Sequence, residues 1–423
     1  MSVTRPRSWT IDLGRVFAIG VVVVIHWISV RVTVTDGVLR GEPALHGRPI
    51  WALSWLIQVM PLFFLAGGFA NTLIVDRWRA SGLGYGEYLG PRARRLVTPV
   101  LALVAVLAPV IAVLGVYSER TAATAAHVVA SPLWFLAVYL MAVAVAPGAV
   151  VLHDRAPLLL PLVLLGCSIA VDALRFGGAG RFAEWNLVFV WLFCHQLGVV
   201  HARGLLRTVT DAGVLLLAGV GVGLLVVMVG AGPYFPTTLG VADAPVSNLA
   251  PPTSAISILA VVQLAVLTWV DRRVGGWEPR RSVRRVITAI VPLLMTIYLW
   301  HVPVIAMLTG AATLAPSRLL PDDPQIWWET RPLWILVGGV VLFFVVRVSM
   351  RWDAFCARYA ARDTTVPAVV GTVLAAWGVY SIWQVGLFPV GAGAALLCVV
   401  LGAAVLTSTR RIGATVDKSA APA

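Results

Sequence analysis

The chain has 423 residues, of which 59% are hydrophobic and only 12% charged, and its mean hydropathy is +0.90. These values exclude a soluble domain, a disordered tail and a disulfide scaffold, since the charged share is about half that of a globular protein. The formal net charge of +13 identifies no nucleic-acid partner until its positions are known.

Apolar runs of about 20 residues recur from end to end, so the expected fold class is all-α, a polytopic integral membrane helical bundle. Arg5 and Arg7 precede the first run in the manner of a signal peptide. That run is too long, carries His26 and Arg31, and lacks a small-x-small cleavage site, so a retained first helix is expected. The expected spans are 13–34, 51–75, 96–117, 133–152, 157–174, 186–201, 212–232, 255–270, 286–309, 333–349, 366–384 and 386–408.

The basic residues test this count. With the N-terminus inside, the inner segments hold 23 of the 32 Arg and Lys, the outer segments hold 8, and Arg15 lies within the first helix. That bias predicts both termini on the cytoplasmic side. All the basic residues but Lys418 are arginine, and Ala, Val and Gly are abundant, as in a GC-rich bacterial genome, so the expected location is the bacterial inner (plasma) membrane. The four cysteines are scattered and read as small apolar residues, and no metal site is expected. Outer segments 233–254, rich in proline, and 310–332, with Asp322, Asp323, Trp327, Trp328 and Glu329, are the ones long enough to cover a cavity.

Ionisable groups at membrane depth are costly and need a reason. Arg15 and His26 are eleven residues apart, which on a helix brings them within about 20° of one direction and about 16 Å apart in depth. Asp12, three residues before Arg15, is placed to pair with it. A gap of about 16 Å rules out a hydrogen-bonded dyad and suits a long ligand with an anionic end and a reactive end, such as acyl-coenzyme A. A neutral imidazole in a partly desolvated site is a general base, whereas the bland alternative is a histidine bonded to a neighbouring helix. Gly67 and Gly68 in the second span admit either another helix or a ligand chain. Arg92, Arg94 and Arg95 stand at a helix start, where phosphate can be held, although topology alone also explains them. Tyr298, His301 and Pro303 form a second polar element, with His301 expected nearer the outer face than His26. Asp172 and Arg175 are expected to pair locally, and His195 and Gln196 to make packing contacts.

Taken in order, these elements resemble the membrane acyltransferase family called acyltransferase 3. Its Arg-x10-His motif is matched by Arg15 and His26, with Asp12 before them, and its Phe-rich second helix by Phe63-Phe64-Leu65-Ala66-Gly67-Gly68-Phe69. Gly67 replaces the family's usual serine, so any role for that hydroxyl is absent. Its Arg-x-x-Arg element is matched by Arg92 and Arg95, its Leu-Trp-Phe-Leu element by Leu133–Leu136, and its Tyr-x-x-His-x-Pro element by Tyr298, His301 and Pro303.

The resemblance covers residues 1–350 as a ten-helix acyltransferase domain; 351–423 add a cytoplasmic linker, two further helices and a short tail. It implies transfer of an acyl group, often acetyl, from acyl-CoA to a hydroxyl of a glycan, a lipid-linked sugar or a macrolide-like metabolite. It also implies site roles: His26, Arg15 and His301 in catalysis, Arg15, Arg92 and Arg95 at the acyl-CoA, and Tyr298, Gly67 and Gly68 at substrate. A twelve-helix transporter or flippase is the main alternative, hinted at by the repeated Asp76-Arg77 and Asp271-Arg272, and an inert membrane scaffold is a third.

Overall fold

The computed structural model describes residues 8–35, 38–274, 276–356 and 364–407. Arg5, Arg7, Lys418, the middle of the expected linker and the expected tail lie outside the described residues.

Helix α1 runs over Trp9–Ile28 and a hairpin of β1, Val30–Thr35, and β2, Val38–Pro43, follows it. The first helix therefore ends six residues before the expected boundary. Val30-Arg31-Val32-Thr33-Val34-Thr35 is hydrophobic enough to read as membrane, but its valines alternate with polar residues at period two and the segment, rich in β-branched residues, pairs as a strand.

Short α2, Arg48–Leu56, precedes α3, Met60–Ser81, so the second expected span is broken at Ile57–Val59, with Pro61 opening the new helix. Next come α4, Tyr85–Tyr117; α5, Glu119–Ala130; α6, Leu133–Arg155; α7, Leu159–Phe176; a 3-10 turn over Gly180–Trp185; α8, Asn186–Arg203; α9, Asp211–Gly230; and α10, Ser254–Arg273. The ninth expected span also divides. Amphipathic α11, Arg281–Ile290, leads through a 3-10 turn at Pro292 into α12, Leu294–Ala312. Then follow α13, Pro316–Leu319; α14, Pro324–Cys356; α15, Thr365–Val385; and α16, Pro389–Thr407.

Among the described residues, eleven helical segments are long and apolar enough to cross a membrane, and α16 contributes a shorter apolar helix. The chain is thus a multi-pass membrane bundle. Side-chain contacts sort the ends into two faces. On the N-terminal face, Thr10 of α1 donates to Asp271 of α10 at 2.8 Å. There Arg203 of α8 makes a bidentate pair with Asp76 of α3, at 2.7 and 2.8 Å, and reaches Asp154 of α6 at 2.8 Å. On the hairpin face, Arg31 of β1 reaches the Asp322 carbonyl at 3.1 Å and Thr238 meets Ser54 through two hydrogen bonds.

In lipid the hydrophobic effect does not drive helices together; close approach and polar contacts do. Helices α3 and α8 cross at Gly68 and Gly198. A Cβ added at Gly68 would lie 1.8 Å from the His195 carbonyl oxygen, and one at Gly198 would lie 2.0 Å from that of Leu65. Beside this crossing, Asn71 donates to His195 Nε2 at 3.0 Å, so His195 makes the expected packing contact.

Asp172 and Arg175 do not hydrogen-bond to each other as expected. Buried Asp172 accepts from the Ser254 backbone N–H at 2.7 Å and from Tyr234 at 3.2 Å, supplying an acceptor at the N-terminus of α10. Arg175 donates to the Pro251 carbonyl at 3.0 Å. Free N–H groups at a helix start and carbonyls in a proline-rich loop are scarcer in partners than a neighbouring side chain is. The two residues together pin segment 231–253 to the bundle.

Candidate active site

Under that pinned segment lies a cavity of about 490 Å³ on the hairpin-face side. Leu239, Leu249 and Pro251 roof it, His26 and Tyr298 lie on its walls, and Gln58 enters from the break between α2 and α3. Of the two outer segments long enough to cover a cavity, 233–254 does so here.

His26 stands in the last turn of α1 and exposes its ring to this cavity. Its Nδ1 is 2.8 Å from the Val22 carbonyl. A carbonyl only accepts, so Nδ1 carries the hydrogen and Nε2 keeps its lone pair. His301, fully buried on α12, repeats the arrangement, with Nδ1 donating to the Tyr298 carbonyl. The two imidazoles meet edge to face with ring centroids 4.8 Å apart. His301 Nε2 has no hydrogen-bond partner among the described residues. Trp27, next to His26, donates its indole N–H to the His301 carbonyl at 2.8 Å, tying α1 to α12 at this level.

Two expectations about depth change. His26 is nearer the hairpin face than the middle of the bundle, because α1 starts and stops earlier than its hydropathy suggests. His301 is beside His26 rather than beyond it, because α11 and the turn at Pro292 use up residues before α12 begins. Tyr298, packed on Phe135 at 4.8 Å between centroids, reaches the same cavity, so three predicted residues converge.

A second cavity of about 510 Å³ has a lining with no residue in common with the first. Pro91, Arg94, Arg95 and Thr98 of α4 form one wall, facing Met295 and Thr296 of α12 and Asp353 of α14. Arg95 makes no ion pair among the described residues. Arg92 does not line this cavity; its guanidinium sits 4.6 Å over the Tyr88 ring. Arg94, which carried no separate role in the sequence, does line it and also donates to the Leu406 carbonyl at 3.0 Å. Arg15 is half-buried on the N-terminal half of α1. That helix is continuous from Arg15 to His26, so the rise of about 16 Å between them stands.

Gly67 and Gly68 line neither cavity. A Cβ at Gly67 would come 2.7 Å from the Tyr139 ring, and Gly68 seats α8, so both serve helix approach. Sequence reasoning passed over Glu184, Trp383 and Gln384, which also line the first cavity, and gave no role to Trp134, which lies there too.

The arrangement offers two imidazoles with free Nε2 positions on one side and guanidinium groups around a separate hollow on the other. Residues 9–351 match the family model described as an acyltransferase domain. No curated protein and no solved structure matches the chain.

Proposed function

The chain belongs to this acyltransferase family, and from that premise we propose that it is a membrane O-acyltransferase working between the two cavities. The donor is acyl-CoA, typically acetyl-CoA, and the acceptor is a hydroxyl on a glycan, a lipid-linked sugar or a macrolide-like metabolite. The observation that carries this reading is the His26–His301 contact at the base of the hairpin-face cavity, opposite an arginine-lined cavity with a lining of its own.

In this reading the N-terminal face is cytoplasmic, as the arginine distribution predicts. Arg95 and Arg94 hold the donor's phosphates by charge-assisted hydrogen bonds. Arg15, and Arg92 at the foot of α4, add positive charge along the donor's path. The reactive end must pass α12, whose Thr296 lines one cavity and Tyr298 the other.

At His26 the acceptor oxygen attacks the thioester carbonyl carbon while Nε2 takes the hydroxyl proton. The tetrahedral intermediate collapses, the carbon–sulfur bond breaks, and the proton passes to the departing thiolate. The products are an ester and free coenzyme A. The Val22 carbonyl holds the His26 ring in the tautomer this step needs, and His301 braces it from the side. Tyr298 positions the acceptor.

The transporter alternative is not favoured by the family. The test is thiol release from acetyl-CoA by the purified chain in nanodiscs, with and without a mixture of hydroxylated acceptors. Acceptor-dependent release that disappears in His26→Ala is the expected result. Release at the wild-type rate in that variant would remove His26 from the chemistry.

A further inference from the structure

Helix α15 lies outside the matched residues 9–351, yet it packs against α4, α5 and α6 and reaches the hairpin-face cavity. Trp383 and Gln384, in its last turn, line the cavity together with His26. From the far side, Glu184 of the 3-10 turn reaches over to the same helix. Its Oε2 accepts from Tyr380 Oη at 2.8 Å and from Gln384 Nε2 at 3.0 Å, and Gln384 Nε2 also lies 2.9 Å from Tyr380 Oη.

This clasp has a chemical direction. It uses the Tyr380 hydroxyl hydrogen and, since the two acceptors of Gln384 Nε2 are themselves only 2.8 Å apart, one of its two amide hydrogens; Oε1 of Glu184 and Oε1 of Gln384 have no partner among the described residues. His26 likewise presents a lone pair. Among the described residues, no arginine or lysine lines the cavity. Such a lining accepts hydrogen bonds from hydroxyls at Glu184 and His26, donates to them from the amides of Gln58 and Gln384, and repels an anion placed beside Glu184. Trp134 and Trp383 add flat apolar faces, against which the C–H face of a ring can stack.

We infer that α15 is the acceptor-selecting wall of the site: Trp383, Gln384 and Glu184 admit a neutral polyhydroxylated ring and exclude its carboxylated counterpart. The inference rests on the acyl-transfer reading for what happens next to that ring, but the recognition itself requires no donor.

The experiment is therefore direct binding without acyl-CoA. Full-length protein in nanodiscs is titrated with p-nitrophenyl β-glucoside and with p-nitrophenyl β-glucuronide, and followed by saturation-transfer NMR. The glucoside is expected to bind at least about tenfold more tightly than the glucuronide, the scale set by one unfavourable charge contact. Trp383→Ala and Gln384→Ala should each weaken the glucoside by about tenfold, and Glu184→Gln should narrow the gap between the two glycosides. Val373→Ala, on the exposed side of α15, should leave both affinities unchanged.

Trp383→Phe keeps a ring in place and should give an intermediate affinity, so a folding failure in Trp383→Ala does not decide the matter. Equal affinity for the two glycosides, no binding of either, or wild-type glucoside affinity in folded Trp383→Phe and Gln384→Ala would each overturn the assignment. The same proteins are then given acetyl-CoA. Selective binding without thiol release counts against acyl transfer and leaves the wall in place. Acceptor-dependent release indifferent to Trp383 and Gln384 does the reverse.

Discussion

The two cavities are nearly equal in volume, about 490 and 510 Å³, and opposite in chemistry. Among the described residues, the one beneath segment 231–253 holds His26, Tyr298 and a single carboxylate, with no arginine or lysine on its walls. The other sets two arginines of α4 against Asp353. Helix α12 contributes to both. A single site would have to hold a polyanion and a nucleophilic hydroxyl beside the same base, where the arginine field would lower the base's proton affinity. On the proposed reading, separating them keeps the His26 imidazole away from the cations and leaves α12 as the partition that the acyl group has to pass.

Breaking one cavity at a time should therefore produce different failures. The largest effect is expected at His26. His26→Ala should reduce acceptor-dependent thiol release by about 10²–10⁴-fold, the usual contribution of a general base, without moving the KM for acyl-CoA. A matched rise in donor KM would show that the two cavities are not independent.

Next comes Arg95→Ala, which should raise the KM for acyl-CoA by about 10–100-fold, the loss of one or two charge-assisted hydrogen bonds, and leave the acceptor KM alone. The same division predicts a salt effect: going from low to physiological ionic strength should raise the donor KM and hardly change that of a neutral acceptor. Steady-state kinetics at two salt concentrations reads both.

Gly68→Ala sharpens the comparison from outside the cavities. Its Cβ would collide with the α8 backbone, so it should lower stability by about 1–3 kcal/mol or more, whereas Gly20→Ala, with nothing within 4 Å, should be nearly silent. Thermal unfolding in nanodiscs measures both. A Gly68→Ala protein that keeps its melting temperature and loses acceptor affinity would return that glycine to the substrate. The smallest effect is expected for Trp27→Phe, which removes the hydrogen bond to the His301 carbonyl. About 1 kcal/mol of stability and a few-fold drop in kcat should follow if that bond only aligns the two imidazoles.

Much of the bundle is legible in hydropathy alone. Spans such as α7, α8 and α10 fall within a few residues of their expected ends because nothing competes with helix in a long apolar run. The failures come where another period hides inside such a run. Val30–Thr35 carries a two-residue alternation, and segment 281–290 is an amphipathic helix that precedes the apolar one.

In the site, His26, Tyr298 and His301 are visible because polar groups in apolar helices stand out. The arginine wall is only partly legible: the expected span begins at residue 96, whereas α4 begins at Tyr85, so the arginines stand inside the helix rather than at its start, and Pro91, Arg94, Arg95 and Thr98 fall at i, i+3, i+4, i+7 on one face with Arg92 about 100° from Pro91. Glu184 and Gln384 were not readable. They are 200 residues apart at helix ends on the hairpin face, where polar side chains and tryptophans are the ordinary furniture of a membrane interface.

The clasp between Glu184 and α15 also bears on how the protein is made. Synthesis runs from the N-terminus, and His26, the roof and Tyr298 of the hairpin-face cavity are all encoded before residue 300. Trp383 and Gln384 emerge last of its lining. On the proposed reading, the nascent chain until then has its general base in place and a cavity with one side missing, so selectivity for the acceptor is acquired only after the base that acts on it.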